Sequence, residues 1–213
     1  MTLVLLALAA GVVVGYARGG TVGRLATLRP SRNRLLLTAI GLHALGVLGG
    51  WLWEPLLPAL TGLSWAVLGY YAWVNRTIQG AALIAAGLVA NAAVMLANGA
   101  IPVSADAAAR AGIDAVEVVS SGDHEIASAD TRLAWLGKVV PVAFPPRPEV
   151  VTPGDVAVAA GLALVVITGL TGRRERHAWA EPEDAPDEHL EAADQPDRAT
   201  IDGEAGRQRA AVV

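Results

Sequence analysis

The sequence contains no cysteine among its 213 residues. Disulfides, thiolate nucleophiles and cysteine-ligated metals are therefore excluded. The sequence also lacks a glycine-rich phosphate loop and the His-Glu-x-x-His and Gly-x-Ser-x-Gly motifs, so several common kinds of enzyme site have no signature here. We accordingly predict no bound cofactor and no metal, and whether the chain is an enzyme stays open.

Charge is missing from a long central stretch. Between Leu35 and Ala97 the only formally charged residues are Glu54 and Arg76, while 54% of the whole chain is apolar. A soluble domain needs far more charge on its surface, so this stretch must face lipid or other helices. The basic residues lie in short segments beside apolar runs, and this arrangement excludes a nucleic-acid-binding footprint.

Roughly 20 apolar residues form a helix that crosses the hydrocarbon core of a bilayer. Five segments approach this length, namely Met1–Ala17, Leu35–Trp53, Leu56–Val74, Ile78–Ala97 and Val156–Gly172. The predicted fold class is an all-α integral membrane protein, a bundle of five transmembrane helices with an extracytoplasmic loop and a disordered C-terminal tail. The expected regions are a four-helix membrane part (1–97), the outer loop (98–155), the fifth helix (156–172) and an acidic cytoplasmic tail (173–213).

Arginine marks one side of this predicted bundle. Nine arginines lie in or beside three short segments that flank the spans: Arg18, Arg24, Arg29, Arg32, Arg34, Arg76, Arg173, Arg174 and Arg176. Positive charge favours the cytoplasmic side, so the first segment predicts an outer N-terminus, an outer 98–155 loop and a cytoplasmic C-terminus. No positive charge precedes the first apolar run, and we therefore expect a retained span of a multi-pass cell-membrane protein, not a cleaved signal peptide.

Small residues recur at four-residue spacing in three spans. Such stripes let helix backbones approach closely in lipid. They are Ala7, Gly11 and Gly15; Gly46 and Gly50; and Ala82, Ala86 and Ala90. We expect them to mark helix contacts, with the abundance of Ala and Gly in this chain as the alternative explanation. Trp65 lies in mid-span and is expected to pack between helices.

The outer loop has patterns of its own. Ser104–Gly112 has a Ser N-cap and a Gly stop, and it predicts a short helix. Val116–Ser121 is β-like, Asp130–Val140 predicts a short amphipathic helix, and the five prolines of Pro141–Pro153 predict extended chain. From Glu175 onward the composition turns to acids, Pro and Ala, which predicts disorder.

Three motifs frame the outer loop. Asn98–Val103 (NGAIPV) ends the fourth span, Thr131–Pro141 (TRLAWLGKVVP) lies in the loop, and Thr152–Val156 (TPGDV) opens the last span. In this order and topology they resemble the bacterial membrane family catalogued as domain of unknown function 5317, over all of the chain except the tail. Ala100 replaces a Gly of the family, and Lys138 stands where the pattern Thr-x-Leu-x-x-Leu-Gly-Asp ends in Asp. If that Asp carries chemistry in the family, this member lacks it. The resemblance implies the fold and topology, and it supplies no activity.

Polar side chains near the outer end of the fourth span are the first candidates for a site. Asn91 and Asn98 are seven residues apart and share one helix face. They line an outward-facing pocket in one interpretation; in the other, Asn91 bonds a neighbouring helix and Asn98-Gly99 caps the helix end. Asp155 follows Pro153-Gly154, and we expect a structural cap there. We expect Asp155 and Asn98 to lie within one or two side-chain lengths of each other.

Two histidines are further candidates. His124 belongs to the cluster Asp123-His124-Glu125, with Asp130 nearby. Such groups bind metals, and Ser120 or Ser121 would complete a hydrolytic triad, but the spacing matches no ligand pattern and a solvated loop is the simpler interpretation. His43 lies at the middle of the second span, where a lone His is more often a packing residue than a proton relay.

The leading functional hypothesis is a non-catalytic membrane scaffold or sensor that uses the outer loop for recognition. The alternative is a membrane enzyme or small-molecule carrier with a polar site at the outer face, lined by Asn91, Asn98, His124, Asp130 and Asp155. A transporter is disfavoured because the span count is odd and no charged residue lies within a span. The expected partners are the lipid bilayer and a membrane or cytoplasmic protein, and not nucleic acid.

Overall fold

The computed structural model describes residues 2–119, 124–145 and 147–172. The tail from residue 173 onward, with its predicted disorder, lies outside these ranges, as do Ser120, Ser121 and Asp123. A helix occupies each predicted span, and one short helix precedes the second. Their bounds are α1 (Thr2–Ala17), α2 (Val22–Leu25), α3 (Asn33–Gly50), α4 (Leu56–Val74), α5 (Ala81–Asn98) and α8 (Pro153–Thr171).

Three of the described helices are long and apolar enough to cross a membrane. They are α3, α5 and α8, and α1 is a shorter apolar helix. Helices of this length and composition are those that span bilayers, so the chain is a helical protein suited to membrane association. The count of five spans goes beyond this finding.

The five long helices pack side by side in a row. The extensive contacts run from α1 to α8, from α8 to α5, from α5 to α4 and from α4 to α3. Helix α8, the last of these helices along the chain, thus lies between α1 and α5. Helix α3 lies at one edge, with α4 as its main neighbour.

Small residues set how closely the row packs. Gly11 and Gly15 of α1 face α8, and Gly46 and Gly50 of α3 face α4, so both glycine stripes mark contacts as predicted. The Ala82, Ala86 and Ala90 prediction is wrong, because Ala82 and Ala86 are exposed. The close approach on α5 is instead made by Gly87, where an added Cβ would collide with the carbonyl oxygen of Gly154 in α8.

The region of residues 98–155, which we call the outer region after its predicted side, contains two small sheets, and these correct the all-α class. Strand β1 (Ile101–Val103) pairs in parallel with β2 (His124–Ile126), and β3 (Val140–Val142) pairs antiparallel with β4 (Glu149–Val151). The predicted extended chain of residues 141–153 is confirmed in these two last strands, although the hairpin they form was not predicted.

Two outer-loop predictions are wrong and one is confirmed. Residues 115–119 form helix α7 (Ala115–Val119) and not a β-like run, because the Asp114 side chain accepts a hydrogen bond from the Val116 amide at 2.9 Å and caps the helix start. The helix α6 (Ala105–Ala111) has the predicted Ser104 cap and ends at Gly112, which has a φ of 78°.

The second wrong prediction is the amphipathic helix over Asp130–Val140. Only Ala134–Leu136 is helical there, as one 3-10 turn after Leu133, whose φ is 52°. The backbone hydrogen bonds that a helix would have used go to β1 instead: Lys138 N donates to Pro102 O at 2.7 Å, and Ser104 N donates to Lys138 O at 3.0 Å. Tertiary pairing therefore overrides the local pattern.

The outer region rests on the end of α5. Val94, Met95 and Ile101 form a buried cluster, and Trp65 of α4 and Leu136 of the loop pack against it. Trp65 thus packs against its neighbouring helix, as the sequence predicts. This cluster packs the loop against the helix row and brings its polar residues to the end of α5 and the start of α8.

Candidate functional site

A buried polar network joins α5 to the start of α8. Asn91 Nδ2 donates to Asp155 Oδ1 at 2.8 Å, and Thr152 Oγ1 donates to Asn91 Oδ1 at 2.7 Å. Asn91 and Thr152 are 6% and 2% exposed. Each polar atom at this junction therefore has a partner from the other helix or from its own cap.

The same residues form the cap of α8. Thr152 Oγ1 accepts from the Asp155 amide at 2.8 Å, and Asp155 Oδ2 accepts from the Thr152 amide at 3.1 Å. This reciprocal pair is a capping box, and Pro153 occupies the first helical turn, where its missing N–H costs nothing. The structural interpretation of Asp155 is thus the one its hydrogen bonds support.

Gly154 makes the junction possible. An added Cβ at this position would collide with Asn91 Oδ1 and would lie 2.7 Å from the Gly87 carbonyl oxygen. The helix start therefore lies directly against α5, deep enough to reach Asn91. The hydrogen-bond partner of Asp155 on α5 is therefore Asn91, whereas from the sequence we expected Asn98 to be its neighbour.

Asn98 serves a different joint. Its Nδ2 donates to Arg132 O at 2.8 Å and to Val94 O at 3.0 Å, and its Oδ1 accepts from the Arg132 amide at 2.9 Å. Gly99 follows with a φ of 77° and ends α5 with the predicted left-handed cap. The side chain thus pins the middle of the outer loop to the helix end.

An open groove lies beside Asn98. It has a volume of about 260 Å³ and combines carboxylates, hydroxyls and one guanidinium; its lining residues are Ala97, Asn98, Glu125, Ser128, Asp130, Thr131 and Arg132. Two of the five predicted site residues, Asn98 and Asp130, therefore share one surface. Asn91 and Asp155 share the buried network instead.

The histidines occupy two separate places. His124 opens β2, where it pairs with Ile101 in the parallel ladder. Within the described residues, no group of three or more His, Asp or Glu side chains is arranged to hold a metal ion, and Asp123 lies outside those residues. His43 is exposed on α3, at the edge of the helix row.

Sequence reasoning missed Glu149, which fastens the first helix to the outer hairpin. Its carboxylate accepts hydrogen bonds from the Leu3 amide at 2.7 Å and the Thr2 amide at 3.0 Å. Burial raises the pKa of Glu149, but bonds from the amino-terminal group and from these amides lower it, and the net pKa is below its ordinary value. An acid in a proline-rich segment gave no signal, because its partners are about 146 residues away.

These elements define a class: a protein of long apolar helices packed in a row, with a small folded region at one end that is held by hydrogen bonds of amide and carboxylate side chains. The chain belongs to the family of unknown function DUF5317, whose model matches residues 34–167. The three motifs that carry the resemblance all lie inside that range. No curated protein and no solved structure matches the chain.

Proposed function

We propose that the chain is a five-span membrane protein whose folded outer region acts as a non-catalytic scaffold or sensor. The observation that carries the proposal is the buried network, because Asn91, Thr152 and Asp155 spend their hydrogen bonds on one another. A catalytic or transport site needs polar groups that are free to meet a substrate. These residues hold a platform in place instead.

The row of helices supports five spans. Helix α4 lies between α3 and α5, and α1 lies along α8. Because α3, α5 and α8 have the length and composition of membrane helices, a helix packed along one of them occupies the same depth of the bilayer. We therefore assign α1 and α4 to the membrane as well.

The arginines support the orientation. Asn75 bonds Ser31, and Arg24 donates to the carbonyl of Thr171 at 3.1 Å, so the ends of α2, α3, α4 and α8 meet on one side. Positive charge on this side favours the cytoplasm. The outer region and the N-terminus then lie outside, and the C-terminal tail lies in the cytoplasm, where a protein partner is expected.

The recognition surface that we propose centres on Trp135. Its side chain is 68% exposed and borders an open groove of about 430 Å³, whose other lining residues are Ser104, Ala105, Asp106, Ala127, Ala134 and Val139. An exposed Trp beside a groove with a polar edge is a common anchor at protein interfaces. We infer that an extracytoplasmic protein segment binds here.

Photocrosslinking in the producing cell's membrane tests this surface. A photoreactive amino acid replaces Trp135 in one variant and Val116, which is 64% exposed, in a control. We expect a discrete protein adduct from position 135 alone, and its loss when Asp106→Arg is added to alter the groove. Adducts with lipid only, or equal adducts from both positions, would contradict the scaffold proposal and would indicate that Trp135 sits in the headgroup layer.

The groove beside Asn98 favours a second candidate, a membrane enzyme or carrier for a small polar molecule. Asp130 and Arg132 give this groove both signs of charge, which suits a zwitterionic ligand. Thermal-shift screening of polar metabolites, with Asp130→Asn as the paired variant, tests it. A ligand that stabilises the parent protein and not the variant would favour this candidate, and the absence of any such ligand would remove it.

A further inference from the structure

Six arginines gather at the end of the helix row that lies opposite the outer region. They lie after α1, within α2, before and at the start of α3, and after α4: Arg18, Arg24, Arg29, Arg32, Arg34 and Arg76. Glu54 is the one acid among residues 1–105, and it lies beyond the other end of α3. The only lysine, Lys138, belongs to the outer region. This end of the row therefore presents guanidinium groups without a neighbouring carboxylate from residues 1–105.

A buried asparagine fixes part of this end. Asn75, 7% exposed, accepts from the Ser31 amide at 2.7 Å and donates to the Ser31 carbonyl at 3.2 Å. It also donates to the Tyr71 carbonyl at 2.8 Å. Its amide thus pairs with Ser31 as a second strand would, and we call this pairing the Asn75–Ser31 clip. Tyr71 adds a hydrogen bond to Asn33 at 3.3 Å.

The clip joins two connections, each of which carries an arginine directly after the clipped residue. Arg32 follows Ser31 directly, with a φ of 58°, and Arg76 follows Asn75. The Arg76 guanidinium lies 5.0 Å from the centre of the Trp73 ring, a cation–π contact. Trp73 and Tyr70 are each about half exposed, as aromatic residues are at the headgroup level of a bilayer.

We propose that this arginine-bearing end binds the phosphate headgroups of anionic phospholipids, and that the Asn75–Ser31 clip holds Arg32 and Arg76 in position to do so. A guanidinium donates two parallel hydrogen bonds to a phosphate, which an ammonium group does not. All the basic residues at this end are arginines. The depth marked by Trp73 is that of lipid phosphates, and the charge sign selects anionic over zwitterionic lipid.

The orientation of a membrane protein requires only positive charge on one side and no fixed geometry. A phosphate site, in contrast, requires the two parallel N–H donors of a guanidinium group and a backbone that is fixed in position. Two variants separate these requirements. Arg32→Lys with Arg76→Lys keeps both charges and removes the forks, whereas Asn75→Ala keeps both guanidinium groups and removes the clip.

Native mass spectrometry of the full chain in detergent measures the effect. Phosphatidylglycerol and phosphatidylcholine are titrated against each protein, and the ratio of their dissociation constants is the readout. For Arg32→Gln with Arg76→Gln we expect phosphatidylglycerol selectivity to fall by about fivefold for each arginine replaced, the factor typical of one basic residue near an anionic surface. The lysine pair and Asn75→Ala should each lose several-fold.

Arg110→Gln with Arg147→Gln is the matched control, because it removes two positive charges from exposed positions of the outer region and should leave selectivity unchanged. An equal loss in that control would overturn the proposal, since charge alone would then explain binding. Unchanged selectivity in the lysine pair or in Asn75→Ala would overturn the held geometry. Displacement of bound lipid by inorganic phosphate at equal concentration would identify a free-phosphate site and reject the lipid.

Discussion

Replacing Asp155 with Asn tests the network that carries the proposed function. An amide normally caps a helix as well as a carboxylate does, so the change looks mild from the sequence. The structure gives the opposite expectation, because both carboxylate oxygens face donors: Asn91 Nδ2 at 2.8 Å and the Thr152 amide at 3.1 Å. An Asn side chain has one oxygen, and its NH₂ group would meet one of these donors head-on.

The cost follows from those two contacts. A hydrogen bond to a charged group contributes about 1.5–3 kcal/mol, and a buried donor left without an acceptor costs about 1–3 kcal/mol. Asp155 is half-buried, so the lower part of these ranges applies and we expect Asp155→Asn to lose about 2 kcal/mol. At roughly 2–4 °C per kcal/mol for a chain of this size, the melting temperature in detergent should fall by about 4–8 °C.

A reciprocal exchange should restore the network. In the double variant Asn91→Asp with Asp155→Asn, the new amide at 155 donates to the new carboxylate at 91 and still accepts from the Thr152 amide. The carboxylate at 91 accepts from Thr152 Oγ1 as Asn91 does now. Each single variant should be destabilised, Asn91→Asp more so because two carboxylates would meet, while the double variant should melt close to the parent.

Size-exclusion melting curves of the four proteins form a double-mutant cycle. A coupling free energy near zero would refute the hydrogen-bond assignment. The cycle also separates scaffold from site. If Asp155 acts through its charge, the double variant should regain stability without regaining the photocrosslinked adduct at position 135 or a stabilising ligand. If its role is structural, the double variant should regain its stability and that binding together.

Two further contacts and the proposed membrane orientation can each be tested. Glu149→Gln should destabilise the fold at neutral pH, because the pKa of Glu149 is lowered in the folded protein. The contribution of its carboxylate is therefore present at neutral pH and is lost as the pH falls through the folded-state pKa. Melting temperatures of the variant and the parent should converge in acid, with Glu54→Gln as the control. Asn98→Ala should speed hydrogen exchange at the Arg132 amide severalfold, because that amide loses its acceptor, Asn98 Oδ1, and unchanged exchange would contradict this contact. A topology reporter fused after Gly122 should be active only in its extracytoplasmic form, and activity of a cytoplasmic reporter there would remove the five-span orientation.

The sequence predicts the helices well and their partners poorly. Apolar runs, the Ser104 cap and Gly99 are local signals, and each corresponds to an observed helix or cap. The seven-residue spacing correctly places Asn91 and Asn98 on one face of α5, but it does not indicate beside which of the two residues α8 begins. Gly87 and Gly154 decide that position, because they let the start of α8 approach Asn91.

The strand pairings escaped prediction for a related reason. Three-residue strands have too little pattern to be read, and their backbone bonds form with distant segments, as β1 does with β2 and with Lys138. The pattern of residues 130–140 matched a helix because Leu133 and Leu136 have helical spacing. Pairing with Pro102 and Ser104 outweighs that preference, and no local feature of the sequence shows it.

The motifs that mark the family are the joints of the fold. Asn98 of the first motif bonds Arg132 of the second, and Thr152 and Asp155 of the third bond Asn91 of α5. The resemblance led us to expect Asp at position 138, but the bonds of Lys138 to Pro102 and Ser104 use backbone atoms, so they do not depend on that side chain. A match to such motifs therefore carries the architecture. Trp135 lies within the second motif and is 68% exposed, so it is the first position of the outer region to test for binding a partner.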